Sequence, residues 1–175
     1  MTILNEATFP TTGVVRLERV LNAPVERVWD YVASDELRKS WLGDGTIEMK
    51  VGGHVHLVYD NSTLTDEPMH EDDTFEPHVE DGTVVELDPP HVLAYTWGEW
   101  FGHNCIVRFE LEPRGDKTQL VLTHSRIDDV DLTYDVANGW HVHLDVLESR
   151  INGTTFPKIW DRFDEVGAYY RSLNK

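Results

Sequence analysis

Tyr134-Asp-Val-Ala-Asn-Gly-Trp-His-Val-His-Leu-Asp-Val-Leu-Glu-Ser-Arg-Ile-Asn-Gly153 is the stretch on which the reading of this chain turns. Val136, Trp140, Leu144, Leu147 and Ile151 are spaced four, four, three and four apart. That spacing stacks them on one side of an α-helix. Gly153, just past the last apolar residue, is placed to end the helix, because glycine takes the left-handed conformation without steric cost. His141, Asp145 and Glu148 fall on one flank of the stripe and are expected to face water. His143 lies at the stripe's edge near Trp140 and Leu147, either as a satisfied core residue or as part of a binding cavity. A helix with one broad apolar stripe has to bury it, and nearly everything upstream reads as strands.

Working back from the helix, Gly13 to Leu21 alternates, with Val15 and Leu17 on one side and Arg16 and Glu18 on the other, and reads as a first strand. Asn22 to Val32 switches to helical spacing. Pro24 suits its first turn, and Val25, Val28, Trp29 and Val32 form its buried side. Ser34 is placed to cap a second short helix ending near Trp41-Leu42-Gly43. Thr46 to Val51, with Ile47, Met49 and Val51 on one face, turns at Gly52-Gly53 into His54 to Asp60, with Val55, Leu57 and Tyr59 inward. Asn61 to Pro77 is acidic and aperiodic and reads as a long surface loop. Val79 to Asp88 and His91 to Glu99 are strands joined at Pro89-Pro90, which cannot extend a ladder. Cys105 to Glu112 and Thr118 to Ser125 make a hairpin turning at Pro113 to Asp116. Asp128, Asp129 and Asp131 form an irregular link to the organising helix. A last helix starts at Thr154, Thr155 and Pro157 and carries Ile159, Trp160, Phe163, Val166 and Tyr170 on its apolar side. The order gives an α+β chain with helices segregated from strands. A curved antiparallel sheet around a long helix leaves a space of the kind that holds ligands.

Composition narrows the function. The 175 residues are 40% hydrophobic and carry a net charge of −17. Such a surface repels phosphate backbones and anionic lipids, so neither nucleic acid nor a membrane is an expected partner. No apolar run approaches the roughly 20 residues of a membrane span, and Met1 to Pro10 lacks the pattern of a signal peptide. Cys105 is the single cysteine, which excludes an internal disulfide and a cysteine-rich zinc site. Together these features lead to the expectation of a cytoplasmic protein.

Several motifs in order resemble a known family. Asn22-Ala-Pro-Val-Glu-Arg-Val-Trp29, Trp41 and Val51-Gly-Gly53 resemble the opening of the START-like (SRPBCC) superfamily. Gly82-Thr-Val-Val-Glu-Leu-Asp-Pro-Pro-His-Val-Leu-Ala-Tyr-Thr-Trp97, Arg108 to Glu112, Thr118 to Ser125 and Gly139 to Leu147 then follow in the order of one branch. That branch is named after the activator of heat-shock protein 90 ATPase. Each motif alone is weak, but their order and spacing make a strong fold signal over about residues 13–153. The resemblance implies the helix-grip, or birch-allergen-like, fold across one domain, 1–175, with a hydrophobic cavity between sheet and helix. Members of the wider superfamily bind lipids, sterols, hormones or polyketides, and some are enzymes. The loop from Asn61 to Pro77 and the helix at about 155–173 depart from the family pattern and are placed to reshape the cavity mouth or an oligomer contact.

The candidate chemistry lies among aromatics and histidines. Trp41, Tyr59, Tyr95, Trp97 and Trp140, with Leu144 and Leu147 of the stripe, are the expected cavity wall, although ordinary core packing would use the same residues. His124 follows Leu120 and Leu122 at strand spacing and faces inward. If His143 faces the same space, two imidazoles flank one ligand and can accept hydrogen bonds or act in acid–base work near neutral pH. Otherwise they are two separate core histidines. His54 and His56 share one strand face that points outward, His70-Glu-Asp-Asp73 lacks the spacing of a calcium loop, and Cys105 reads as a small buried hydrophobe. No phosphate loop or nucleophile elbow appears, and no metal or cofactor is expected. The leading reading is a binding module for a small apolar or aromatic ligand. Beside it stand an enzyme of the cyclase or hydrolase type using His124 and His143, and an interaction protein that contacts a chaperone or forms a homodimer.

Overall fold

The computed structural model describes residues 3–71, 75–98, 104–156 and 158–173. Among them, seven strands form one sheet: β1 (Val15–Leu21), β2 (Asp44–Ile47), β3 (His54–Tyr59), β4 (His78–Asp88), β5 (Val92–Thr96), β6 (Ile106–Arg114) and β7 (Lys117–Ser125). Their order is β1-β7-β6-β5-β4-β3-β2. All pairings are antiparallel, so consecutive strands from β2 to β7 are neighbours, while β1 pairs with β7 and sets Leu17 opposite Leu122. A register shift between Val84 and Glu86 bends β4 against β5. Alternation decides which face is which. Val15, Leu17, Leu57, Phe109, Leu120 and Leu122 are buried on the inner face, while the Arg108 guanidinium forks onto Glu86 on the outer one.

Helices α1 (Val25–Ala33), α2 (Asp35–Arg38), α3 (Val130–Ile151) and α4 (Ile159–Leu173) complete the fold. In α1, Val25, Val28 and Val32 are buried as their spacing predicts, but Tyr31 completes the buried side and Trp29 is only partly covered. The helix α3 starts four residues before Tyr134, inside the acidic link. Asp129 is its N-cap, and the carboxylate accepts the Asp131 N–H at 2.8 Å, satisfying one of the unpaired donors at a helix start. The other end closes as a Schellman motif: Gly153 has φ +66°, its N–H donates to the Arg150 carbonyl at 3.2 Å, and Thr154 N–H donates to Ser149 at 2.9 Å. No helix among the described residues is long and apolar enough to cross a membrane.

Four local expectations are corrected. First, β2 ends at Ile47, and Met49 and Val51 are 36% and 66% exposed. The chain is already turning there, with Gly53 N–H on the Lys50 carbonyl at 2.8 Å and Gly52 at φ +82°. Second, β5 ends at Thr96; Glu99 lies outside the described residues. Third, α4 begins at Ile159, after Thr154 and Thr155; Pro157 is outside the described residues. Fourth, the acidic loop is fastened down. Its first turn, Asn61–Leu64, is a 3-10 helix with Asn61 and Leu64 buried, Phe75 packs on Trp160, and the His70 imidazole lies 3.0 Å from Asp161 and 3.3 Å from Asp164 on α4. The N-terminal segment is tied in as well: Thr8 bridges to Arg16, and Ala7 N–H donates to the Tyr170 hydroxyl at 2.7 Å.

The flank of α3 expected to meet water is instead covered by α4. His141 is fully buried and the Asp145 side chain is 16% exposed; Glu148 is partly covered. Asp145 accepts from Arg162 of α4 at 2.9 Å and from Arg19 at 3.2 Å. Arg19 stands on the inner face of β1, level with Val15, Leu17 and Leu21. The Arg162 guanidinium also donates to His141 Nε2 at 3.2 Å. That fixes the neutral tautomer, so Nδ1–H is the donor toward the Tyr170 hydroxyl at 3.0 Å. Burial, opposed by Asp145, lowers the His141 pKa to about 4.

Candidate functional site

A cavity of about 130 Å³ opens where α3, α4, the rim of β3 and the fastened loop meet. Tyr59 comes from the end of β3, and Asn61, Phe75 and His78 come from the loop and the start of β4. Trp97 follows β5, and Leu42 follows α2. One helix supplies Asp135, Val136, Gly139, Trp140 and His143; Phe163 of α4 closes the far side. The helical set shares a face because 136, 139/140 and 143 are three or four apart.

The walls are mostly rings. Trp97 meets Trp140 edge-on at 5.4 Å between centroids and lies 4.9 Å from Tyr59. Burial raises the Tyr59 pKa well above that of an ordinary phenol, so it stays neutral. His143 is 7% exposed, and its Nδ1 lies 2.8 Å from the Trp41 carbonyl. A carbonyl only accepts, so Nδ1 carries the proton. Burial lowers the pKa of this histidine to about 4, against the opposing pull of that hydrogen bond. It is therefore neutral near pH 7, and its Nε2 is an acceptor.

Four of the expected wall residues, Tyr59, Trp97, Trp140 and His143, are brought together at the cavity. Tyr95 stacks behind Trp97 at 6.3 Å. Trp41 is fully buried, its indole N–H donating to the Tyr31 carbonyl at 2.9 Å. Leu144 and Leu147 are fully buried in the core. His124 faces inward, but the two histidines do not flank one space. His124 is fully buried against Trp97 and Trp140, and its Nδ1 accepts the Trp140 indole N–H at 3.0 Å. Burial lowers its pKa to about 3, so it is a neutral core histidine that orients Trp140.

Eight lining residues, Leu42, Asn61, Phe75, His78, Asp135, Val136, Gly139 and Phe163, carried no expectation from sequence as parts of a site. The loop residues give no periodic signal, and Phe163 showed only as an apolar position of the last helix. Gly139 did leave a trace. A glycine inside a helix costs about 1 kcal/mol relative to alanine, and an added Cβ at 139 would meet nothing within 4 Å. Close packing therefore does not require this glycine; it enlarges the cavity. Gly167 of α4 is the contrast, because there a Cβ would come within 2.8 Å of Asn138 Nδ2.

Other groups are held in ordinary contacts. His54 and His56 point outward and share the Asp81 carboxylate at 3.2 and 2.9 Å. Glu67, His70 and Asp161 gather possible ligand atoms within 4.8 Å. They are engaged otherwise: Glu67 accepts the Trp160 N–H at 3.0 Å and Asp161 pairs with Lys158 at 2.8 Å. Asp72 and Asp73 of the acidic tetrapeptide lie outside the described residues. Cys105 is fully buried, its thiol pushed up to about 11 by burial.

Comparison with known proteins places this architecture. The family model described as Activator of Hsp90 ATPase homolog 1-like protein matches residues 22–152. A Bordetella parapertussis protein solved by NMR is 34% identical, with 98% of this chain and 94% of that chain covered, at a TM-score of 0.80. CalU16 from Micromonospora echinospora is 21% identical, with coverage of 91% and 87% and a TM-score of 0.68. A conserved Enterococcus faecalis protein of unknown function is 18% identical, with coverage of 96% and 90% and a TM-score of 0.70. The latter two speak to the fold alone. No curated protein matches the chain in sequence. The chain belongs to the family similar to activator of Hsp90 ATPase homolog 1, within the START-like superfamily, and its sheet curved around α3 is the helix-grip fold of that family.

Proposed function

We propose that the protein binds a small, uncharged apolar or aromatic molecule in the cavity between α3, α4 and the sheet. Gly139 is the observation that carries this reading. A residue that costs helix stability, and that no neighbouring atom requires, is explained by the space it leaves. The size of that space limits the guest. About 130 Å³ is close to the roughly 150 Å³ of an engineered apolar cavity that takes benzene, and below the roughly 300 Å³ at which pockets for drug-sized ligands begin. One ring with a small substituent fits; a sterol does not fit this form of the site.

The test is NMR titration of the full chain with benzene, following the indole N–H signals of Trp97 and Trp140. Saturable shifts at both are expected. Gly139→Leu fills the space and should abolish them while the fold is kept. Saturable shifts that persist unchanged in Gly139→Leu would place the guest elsewhere and sink the proposal.

A further inference from the structure

We infer that the guest is a small neutral hydroxyarene, a phenol in the chemical sense, whose O–H donates to acceptors in the cavity wall. This rests on the cavity reading above and adds the chemical class. Two groups carry it. Asn61 lines the cavity and is 8% exposed, and its buried Oδ1 has no hydrogen-bond partner among the described residues. His143 lines the same cavity with its Nδ1–H committed to the Trp41 carbonyl, which leaves Nε2 as an acceptor. A buried amide oxygen without a donor is costly, and a guest O–H removes that cost once a turn of the side-chain amide presents Oδ1 to the cavity. The rings of Tyr59, Trp97, Trp140 and Phe163 take its aromatic body.

Charge is selected against. An anion would face the lone pair of His143 Nε2 with Asp135 nearby, inside a molecule of net charge −17. An ammonium would have to leave water for a wall made mainly of rings, where a buried charge needs a close partner. A neutral ring with one hydroxyl satisfies the volume, the acceptors and the charge together.

The test is calorimetric titration of the full chain with phenol, benzene, benzoate and benzylamine at pH 7. Phenol should bind roughly tenfold more tightly than benzene, the usual scale of one well-placed hydrogen bond, and the two charged probes should bind more weakly than phenol. The phenol-to-benzene affinity ratio should then fall several-fold in Asn61→Leu and in His143→Phe. If His143→Phe fails to fold for want of its bond to the Trp41 carbonyl, Asn61→Leu decides. Equal binding of phenol and benzene overturns the hydroxyl inference and leaves the cavity reading standing. Benzoate or benzylamine outbinding phenol overturns the choice of a neutral guest. An unchanged ratio in Asn61→Leu overturns the assigned acceptor. Failure of all four probes to bind removes the cavity reading and this inference with it.

Discussion

Gly139 and Gly167 are both interior helix glycines, yet their surroundings give them opposite roles. Gly139→Ala should stabilise the protein by about 0.5–1 kcal/mol, since the added methyl meets open space. Gly167→Ala has to displace the Asn138 side chain and should give a smaller gain or a loss. Thermal melts of the two variants side by side check this, and equal gains would mean that the interhelical contact at Gly167 is loose. Trp140 is the complementary residue. It is 4% exposed and holds the His124 imidazole, so Trp140→Ala should cost about 3–5 kcal/mol in urea unfolding. A value near zero would show that this face of α3 is not packed as described. At this scale the sequence was informative about direction and poor about partners. Alternation showed His124 inward, and helical spacing put His143 beside Trp140. Neither pattern reveals that a tryptophan N–H and a main-chain carbonyl claim the two imidazoles separately, because those contacts join residues 16 and 102 positions apart.

Between elements, the main surprise is the junction of β1, α3 and α4. Periodicity recovered the apolar stripe of α3, since Val136, Trp140, Leu144 and Leu147 are all buried. It misread the flank, because polar residues at helical spacing look the same whether water or another charged helix faces them. Here Asp145 is held between Arg19 and Arg162. The position of Arg19, in phase with Val15, Leu17 and Leu21, was a legible sign that a buried charge needed a partner. With the Arg19 side chain only 1% exposed, Asp145→Ala leaves a guanidinium buried without its counter-charge. The expected cost is about 3–5 kcal/mol, read from urea midpoints. A loss under 1 kcal/mol would mean that water reaches Arg19 once the carboxylate is gone. The apolar side of α4 is likewise taken up within the chain, with Ile159, Trp160, Val166 and Tyr170 buried.

For the molecule as a whole, three buried histidines set a dependence on acid. His124, His141 and His143 have folded pKa values near 3, 4 and 4, lowered by burial from 6.5. Below about pH 6.5 the unfolded chain takes up protons that the native state refuses, so stability falls as the pH drops. The loss continues until the folded values are reached. The slope approaches 1.4 kcal/mol per pH unit for each histidine. Relief of repulsion in a chain of net charge −17 works in the other direction and blunts it. Urea unfolding at pH 7 and pH 5 should show one cooperative transition at each, with a loss of several kcal/mol at pH 5. An unchanged midpoint would mean that the imidazoles are solvated. The sheet order and the gripped helix were readable because they rest on periods of two and of about 3.6 residues. The cavity was not fully readable, since Asn61 and Phe75 come from an aperiodic loop and Phe163 from a last helix whose placement against the rim no period reveals.

Phe163 gives the chamber a wall that lies past residue 152, where the family match ends. On the binding proposed above, selectivity is thus written partly past that point, while the strands and α3 that shape the body lie before it. Taste and architecture are thereby separable: a change at Phe163 would alter what the chamber holds and leave the grip of the sheet on α3 unchanged.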